Sequence, residues 1–235
     1  MIFNKLLTDL NDIRQKVTYS IERGEPFLLT YLNQNCFNIY FNNNKYRKLL
    51  DTKFTVYQAD LGIFIILKFF GRMNVKRIDA TEMNKIILND IIKNKIPLVI
   101  IGGNFDEKFV FDESEKRGIN LVGYYNGFFK ETETEKIISH VSKFNNSVVM
   151  IGMGVPRQEI FAEKISGLKV IICVGNFFEF YLGTVKRASV IFQKLGLEWF
   201  FRILTEPRRL WKRYIIGIPV FFFNIVKMKL SPFES

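Results

Sequence analysis

Three arginines, Arg202, Arg209 and Arg213, lie in a basic stretch, VKRASVIFQKLGLEWFFRILTEPRRLWKRY (residues 185–214), in which cations are interleaved with aromatic rings. Were residues 195–213 a single helix, a turn of about 100° per residue would bring the three guanidinium groups within roughly 40° of one another on one face. Guanidinium forks hold phosphate and carboxylate by paired hydrogen bonds, so such a face is an anion site; a solvated basic face is the competing reading. Pro207 disfavours helical geometry at Glu206, so two shorter helices, the second with Pro207 in its first turn, fit the sequence equally well.

A carboxylate is the second candidate. The segment FTVYQAD reads as a strand whose carboxyl end delivers Asp60, and in open α/β sheets ligands gather at the carboxyl ends of strands. The alternative is that Asp60 caps the helix-like LGIFIILKFFG next to it. A third candidate is GMGVPRQE (residues 152–159), which leaves an apolar strand, bends at Gly152 and Gly154 and enters a helix with Pro156 at a first-turn position. That geometry predicts outward-pointing backbone N–H groups at a helix end carrying about half a positive charge, where a phosphate would sit. Gln158 and Glu159 then stand where they could hydrogen-bond a base, ribose or sugar. The third glycine of a dinucleotide fingerprint and the lysine of a Walker loop are both missing.

The elements that must position these groups form a regular alternation. Residues 1–25 read as one amphipathic helix, and FLLTYLN (27–33) as a first strand ending in the polar cluster Asn33, Gln34, Asn35. After FTVYQAD come PLVIIGG (97–103), INLVGYY (119–125), SVVMIGMG (147–154) and KVIICVG (169–175), separated by segments of helical polarity such as residues 132–143 and 157–164. Near-continuous apolar strands alternating with helices predict a parallel sheet covered on both faces. The pattern divides the chain into an α/β body over residues 1–192 and a basic, partly helical appendage over 193–235.

Composition limits the partners. The 235 residues carry a net charge of +11, and residues 186–235 hold ten Lys and Arg against Glu198, Glu206 and Glu234. Such asymmetry points to an anionic partner: phosphate groups, nucleic acid or a lipid surface. Cys36 and Cys173 have no partner spacing, which favours a reducing compartment, and no cluster of zinc ligands is present. His140, the single histidine, reads as a solvated bystander. The amino terminus carries Asp9 and Asp12 within its amphipathic pattern and is not a signal peptide, so a cytosolic-side protein is expected. IIGIPVFFFNIV (215–226) is too short for the ~20 residues a membrane span requires. Flanked by lysines and arginines it suits a membrane interface; a core or subunit-interface helix is the alternative, since an apolar segment of this kind can bury itself between copies when no membrane is present.

Asp60, Gly102 and Gly103, VGYYNGFF, IGMGVPRQE, VGNFFEFYLGTVKRA and LGLEWFFRILTEPRRLWKRY, in that order and spacing, resemble the WecG/TagA/CpsF glycosyltransferases, family 26. The resemblance covers residues 27–222. It implies a Rossmann-like body of the GT-E type and inverting, metal-independent transfer of a sugar, with no cofactor. The implied donor is a UDP-sugar and the implied acceptor a polyprenyl-diphosphate-linked saccharide at the cytoplasmic membrane face, with the appendage completing the site and touching the membrane. By position, Asp60 matches the family's proposed general base, Asn33 the asparagine of its first polar loop, and Gln158 and Glu159 its Gln-Glu pair in the donor cleft. Gly103, Gly152, Gly154 and Gly175, with Thr30, Asn33, Gln158, Glu159 and Arg213, are the donor- or acceptor-binding residues that the resemblance implies. Arg202, Arg209, and Arg208 or Arg213 match its carboxyl-terminal arginines. Tyr31 stands where the family has a threonine, with Thr30 adjacent. Asp60-Leu61-Gly62, Asn176 and Glu179 depart from its pattern near the presumed donor pocket, which bears on the identity of the donor sugar.

The residue chemistry is consistent with this. Inverting transfer needs a base for the acceptor hydroxyl and something to stabilise a departing diphosphate. There is no Asp-x-Asp, so arginines and the helix end at Pro156 must supply the positive charge. With His140 poorly placed the base is a carboxylate: Asp60 first, with Glu159 and Glu198 in reserve. Two readings compete. A nucleotide-dependent oxidoreductase lacks its third glycine and its acidic ribose partner, and a nucleic-acid binder does not need the apolar run after Tyr214.

Overall fold

The computed structural model describes residues 2–144, 146–165, 169–185, 198–205 and 207–230. Its centre is a six-stranded, all-parallel sheet: β1 (Phe27–Leu32), β2 (Thr55–Gln58), β3 (Leu98–Gly102), β4 (Leu121–Tyr125), β5 (Val148–Gly152) and β6 (Val170–Cys173), in the order β2-β1-β6-β5-β3-β4. All six apolar runs are strands of a Rossmann-like α/β fold. The inner strands are buried almost throughout because helices cover both faces, and this is why their sequences do not alternate between apolar and polar.

The helices are α1 (Ile2–Lys5), α2 (Leu10–Arg23), α3 (Gln34–Asn42), α4 (Asn44–Lys53), α5 (Leu61–Phe69), α6 (Ala80–Lys93), α7 (Glu107–Lys116), α8 (Thr134–Val141), α9 (Arg157–Lys164), α10 (Phe177–Tyr181), α11 (Glu198–Thr205), α12 (Pro207–Trp211) and α13 (Gly217–Leu230), with a π-helical turn at Lys212–Ile216. On one face Leu29, Ile100, Met150 and Ile172 pack with Val17, Phe37, Ile63 and Ile87. On the other, Leu28, Val99, Ile151 and Ile171 pack with Ile137 and Phe161.

The single amino-terminal helix expected over residues 1–25 is two. Asp9 accepts the backbone N–H groups of Asn11 and Asp12 and starts α2 afresh. Leu7 meanwhile pairs with the outer edge of β2, donating to Val56 O at 3.0 Å and accepting from Gln58 N at 3.0 Å. Covering an exposed strand edge favours this break over a continued helix. In the polar run after β1, Asn33 and Asn43 cap α3 and α4, each accepting an N–H from three residues on.

Pro207 divides the basic stretch as the two-helix alternative has it, standing first in α12. The boundary expected at 192/193 falls within residues 186–197, outside the described residues. Helix α13 packs on the body: it lies along α3 and buries Phe221, Asn224, Ile225 and Met228, with the Phe221 ring edge-on to Phe37 at 5.4 Å. Burying a phenylalanine of this kind contributes roughly 2–3 kcal/mol. The opposite face of α13 is exposed at Phe222, Phe223, Val226 and Leu230, so the helix is half core and half surface. Among the described residues no helix is long and apolar enough to cross a membrane.

Candidate active site

Strand tips gather the site. Beyond the carboxyl ends of β1, β2 and β6 lies a cavity of about 320 Å3 whose walls include Tyr31, Asn33 and Gln34, then Asp60, Arg77 and Asn84, and finally Asn176, Arg213 and Phe221. A volume of this order suits one small ligand or part of a larger one. The walls come from both ends of the sequence, because α13 closes over α3 and the start of α5.

Asp60 is both the cap and the cavity carboxylate. Its Oδ1 accepts from Ile63 N at 2.7 Å, starting α5, and its Oδ2 accepts from Gln34 N at 2.7 Å, at the start of α3. Asp9, Asp79 and Asp106 cap helices in the same way, so capping alone does not mark a site. What distinguishes Asp60 is a second helix end on its other oxygen and a place on the cavity wall. Burial raises its pKa above the ordinary carboxylate value; the two N–H donors, then the guanidinium groups of Arg213 and Arg77, oppose that rise. The carboxylate is thus rigid, more basic than a free one, and faced by two cations.

Arg213 belongs to the π-helical turn, is half-buried, and its Nε has no hydrogen-bond partner among the described residues. Gln34 Nε2 donates to its carbonyl at 3.4 Å, and Asn38 Nδ2 donates to Gly217 O at 2.8 Å, so α3 holds the turn by its backbone. Two further enclosed atoms on the cavity-lining residues have no partner among the described residues: Asn84 Oδ1 and Asn176 Nδ2. Buried polar atoms are almost always satisfied, so the cavity wall offers both acceptor and donor capacity to a hydroxyl-bearing ligand or to water. Arg77 and Asn84 are not among the residues that the sequence alone singles out. The signal for Arg77 is slight: a cation two residues before Asp79, the cap of α6.

The structure brings Asn33, Asp60 and Arg213 to the cavity, and sets Thr30, Gln158 and Glu159 elsewhere. Successive side chains of a strand point to opposite faces, so Tyr31 meets the cavity and Thr30 is turned away from it. Thr30 donates to Glu159 Oε1 at 2.8 Å, Gln158 Nε2 donates to the same oxygen at 2.8 Å, and Gly175 N donates to Gln158 Oε1 at 3.1 Å. All three side chains are fully enclosed. They tie β1, α9 and the turn after β6 together, and that turn carries Asn176 to the cavity. The helix end at Pro156 also differs from expectation: α9 begins at Arg157, and the Gln158 N–H is already bonded to Gly154 O at 2.9 Å. Fewer N–H groups are left for an anion there. Arg202 and Arg209 have side chains outside the described residues, as does Glu198. His140, on α8, lies against Tyr125 and away from the cavity.

The glycine positions meet at the tips of β3, β5 and β6. A Cβ on Gly102 would come within 2.6 Å of Gly152 O, one on Gly152 would collide still harder with Gly175 O, and Gly103, Gly154 and Gly175 all have positive φ. Only glycine permits backbones this close. The seam sits where the chain leaves β3 toward one edge of the sheet and β5 toward the other, the usual place for a ligand in such sheets. Beside it, Gly127 N donates to Gly103 O at 2.9 Å and Asn126 bridges to Asn104 at 2.6 Å, leaving Phe128 70% exposed on a tethered loop.

Glu159 makes a testable stability prediction. Burial raises its pKa from 4.5 to about 7, against the lowering effect of Gln158 and Thr30. Between those values the folded protein keeps a proton that the unfolded chain has lost, so this contribution to stability is complete below about 4.5 and is lost as pH rises to about 7. The shift corresponds to roughly 3 kcal/mol. Glu159→Gln keeps an acceptor for Thr30 and Gln158 but cannot ionise. Denaturant unfolding from pH 4.5 to 8 should show a shallower decline for the variant, and parallel curves would remove Glu159 as the source.

Among the described residues no three His, Cys, Asp or Glu side chains converge where a metal ion could be held. The model of the glycosyl transferase WecG/TagA/CpsF family matches residues 4–235, nearly the whole chain. With a parallel α/β sheet, a carboxylate and arginines at its strand tips and a match of that extent, the chain belongs to the WecG/TagA/CpsF family and is a glycosyltransferase of cell-surface polysaccharide synthesis.

Proposed function

We propose that this chain moves a sugar from a UDP-sugar to a polyprenyl-diphosphate-linked saccharide, with inversion and without a metal, at the cytoplasmic face of the membrane. The observation that carries the reading is Asp60, fixed by two helix N-termini inside a cavity that Arg213 and Arg77 also line. Asp60 takes the proton of the acceptor hydroxyl as that oxygen attacks the anomeric carbon from the side opposite the nucleotide. The bond from the anomeric carbon to the diphosphate oxygen breaks, and its electron pair leaves with UDP. Charge developing on the diphosphate is met by the guanidinium groups, which offer paired donors with no reorganisation at the moment of reaction.

The glycine seam at β3, β5 and β6 supports a nucleotide lying across the strand tips, with Phe128 offering a ring face to its base. Asn84 and Asn176, with amide atoms that have no partner among the described residues, support a sugar held by hydroxyl contacts. The appendage supplies Arg213, and Arg202 and Arg209 extend the same cationic role. Residues 193–235 are its bounds and the membrane-associating part of the chain.

The test is a panel of UDP-sugars offered with a short-chain prenyl-diphosphate saccharide, following UDP release and product mass with and without a chelator. One donor should give product and free UDP at equal yield, unchanged by the chelator. UDP release without product, or product only with added metal, would count against the reading.

A further inference from the structure

Among the described residues, half of the exposed large apolar side chains belong to two elements, α5 and α13. Helix α5 buries Ile63, Ile66 and Leu67 and turns Leu61, Ile65 and Phe69 outward, with Met73 just beyond; Phe69 is 62% exposed and Met73 65%. About 100° per residue places Leu61, Ile65 and Phe69 on one stripe opposite the buried side. Helix α13 does the same with Phe223, Val226 and Leu230. The two elements are neighbours. A Cβ on Gly62 would meet the Phe221 ring at 3.5 Å, Lys229 Nζ stands 4.3 Å from the centre of the Phe69 ring, and Ile65 and Phe222 line the same cavity.

Charge selects the occupant of this surface. Residues 61–78 carry four Lys and Arg, residues 207–230 carry six, and neither segment contains an Asp or Glu. A second copy of the chain seated on the same face would oppose like charges over an apolar contact. An apolar stripe flanked by cations fits a bilayer surface with anionic headgroups, the side chains entering the acyl boundary and the cations staying at headgroup level.

We infer that α5, an element of the catalytic body, forms with α13 one membrane-docking surface, and that the cavity holding Asp60 opens between the two helices so that the bilayer itself covers its mouth. Docking is then not a property of the carboxyl-terminal appendage alone. A lipid-linked acceptor reaches Asp60 from the bilayer between α5 and α13 without its chain passing through water. The part of this that concerns the acceptor rests on the proposed transferase reading; the docking surface does not.

The experiment uses the full chain carrying Phe69→Glu with Met73→Glu, neither of which lines the cavity, and Tyr19→Glu, an equally accessible aromatic on α2, as control. Co-sedimentation is measured with vesicles of mixed neutral and anionic phospholipid and with neutral vesicles, and thermal unfolding confirms that each variant is folded. The double variant should bind mixed vesicles about tenfold or more weakly, the control should bind as the parent does, and added salt should weaken the parent. Parent-like vesicle binding by the double variant overturns the inference. So does a loss of self-association, in lipid-free solution, with vesicle binding intact, since the face would then be a subunit interface. Vesicle binding that depends on Phe69 and Met73 in a protein that transfers no sugar would sink the transferase reading and leave the docking surface standing.

Discussion

Asp60→Asn is expected to cost between about a hundredfold and ten-thousandfold in turnover, the range over which a positioned base acts. The amide cannot take a proton from the acceptor, yet its carbonyl oxygen can still accept from Ile63 N. The other oxygen is replaced by a donor facing the Gln34 N–H, so the variant also loses roughly 1 kcal/mol of stability, as a cap usually costs. Asp60→Ala loses both bonds and destabilises the starts of α3 and α5 together. Activity therefore has to be read beside thermal unfolding and UDP binding. A folded Asp60→Asn protein that binds UDP and turns over at the parent rate would remove Asp60 from the mechanism.

Arg213→Ala is expected to lower kcat/KM by about a hundredfold to a thousandfold, the usual cost of losing one donor to a developing anion. A second observable separates this role from a packing role. Arg213 favours the ionised form of Asp60, so its removal raises the Asp60 pKa further, and the acid limb of the pH–rate profile should move to higher pH. Arg213→Lys keeps the charge without the paired donors; it should restore the acid limb while recovering only part of the rate. An Arg213→Ala protein with lowered activity and an unmoved acid limb would mean that the side chain acts only through packing of the π-helical turn.

The sheet was legible because burial on both faces leaves a plain signature: six short apolar runs, five of them rich in Val, Ile and Leu. Helices α8 and α9 were legible from their polarity, and the break at Pro207 from the geometry proline forbids. Asp60 could be placed at a strand tip, but two donors on its carboxylate could not be foreseen, because Gln34 N arrives from a different helix. The polarity of Thr30, Gln158 and Glu159 suggested contact with a ligand. In the fold they satisfy one another, and no local pattern distinguishes a polar group facing a cleft from one locked inside. Strand parity would have separated Tyr31 from Thr30 had the cavity face been known. Arg77 escaped notice because it sits in an irregular connection, where neither helical nor strand spacing applies.

The cavity has one wall from residues 31–84 and 174–180 and another from residues 213–222. During synthesis the first wall is made before the second. The sheet strands that flank it can pair while the carboxyl-terminal stretch is still being made, but a nascent chain has no closed site until α13 has emerged. Premature termination after β6 but ahead of Arg213 would thus leave a polypeptide that has all six strands and lacks one wall of the cavity.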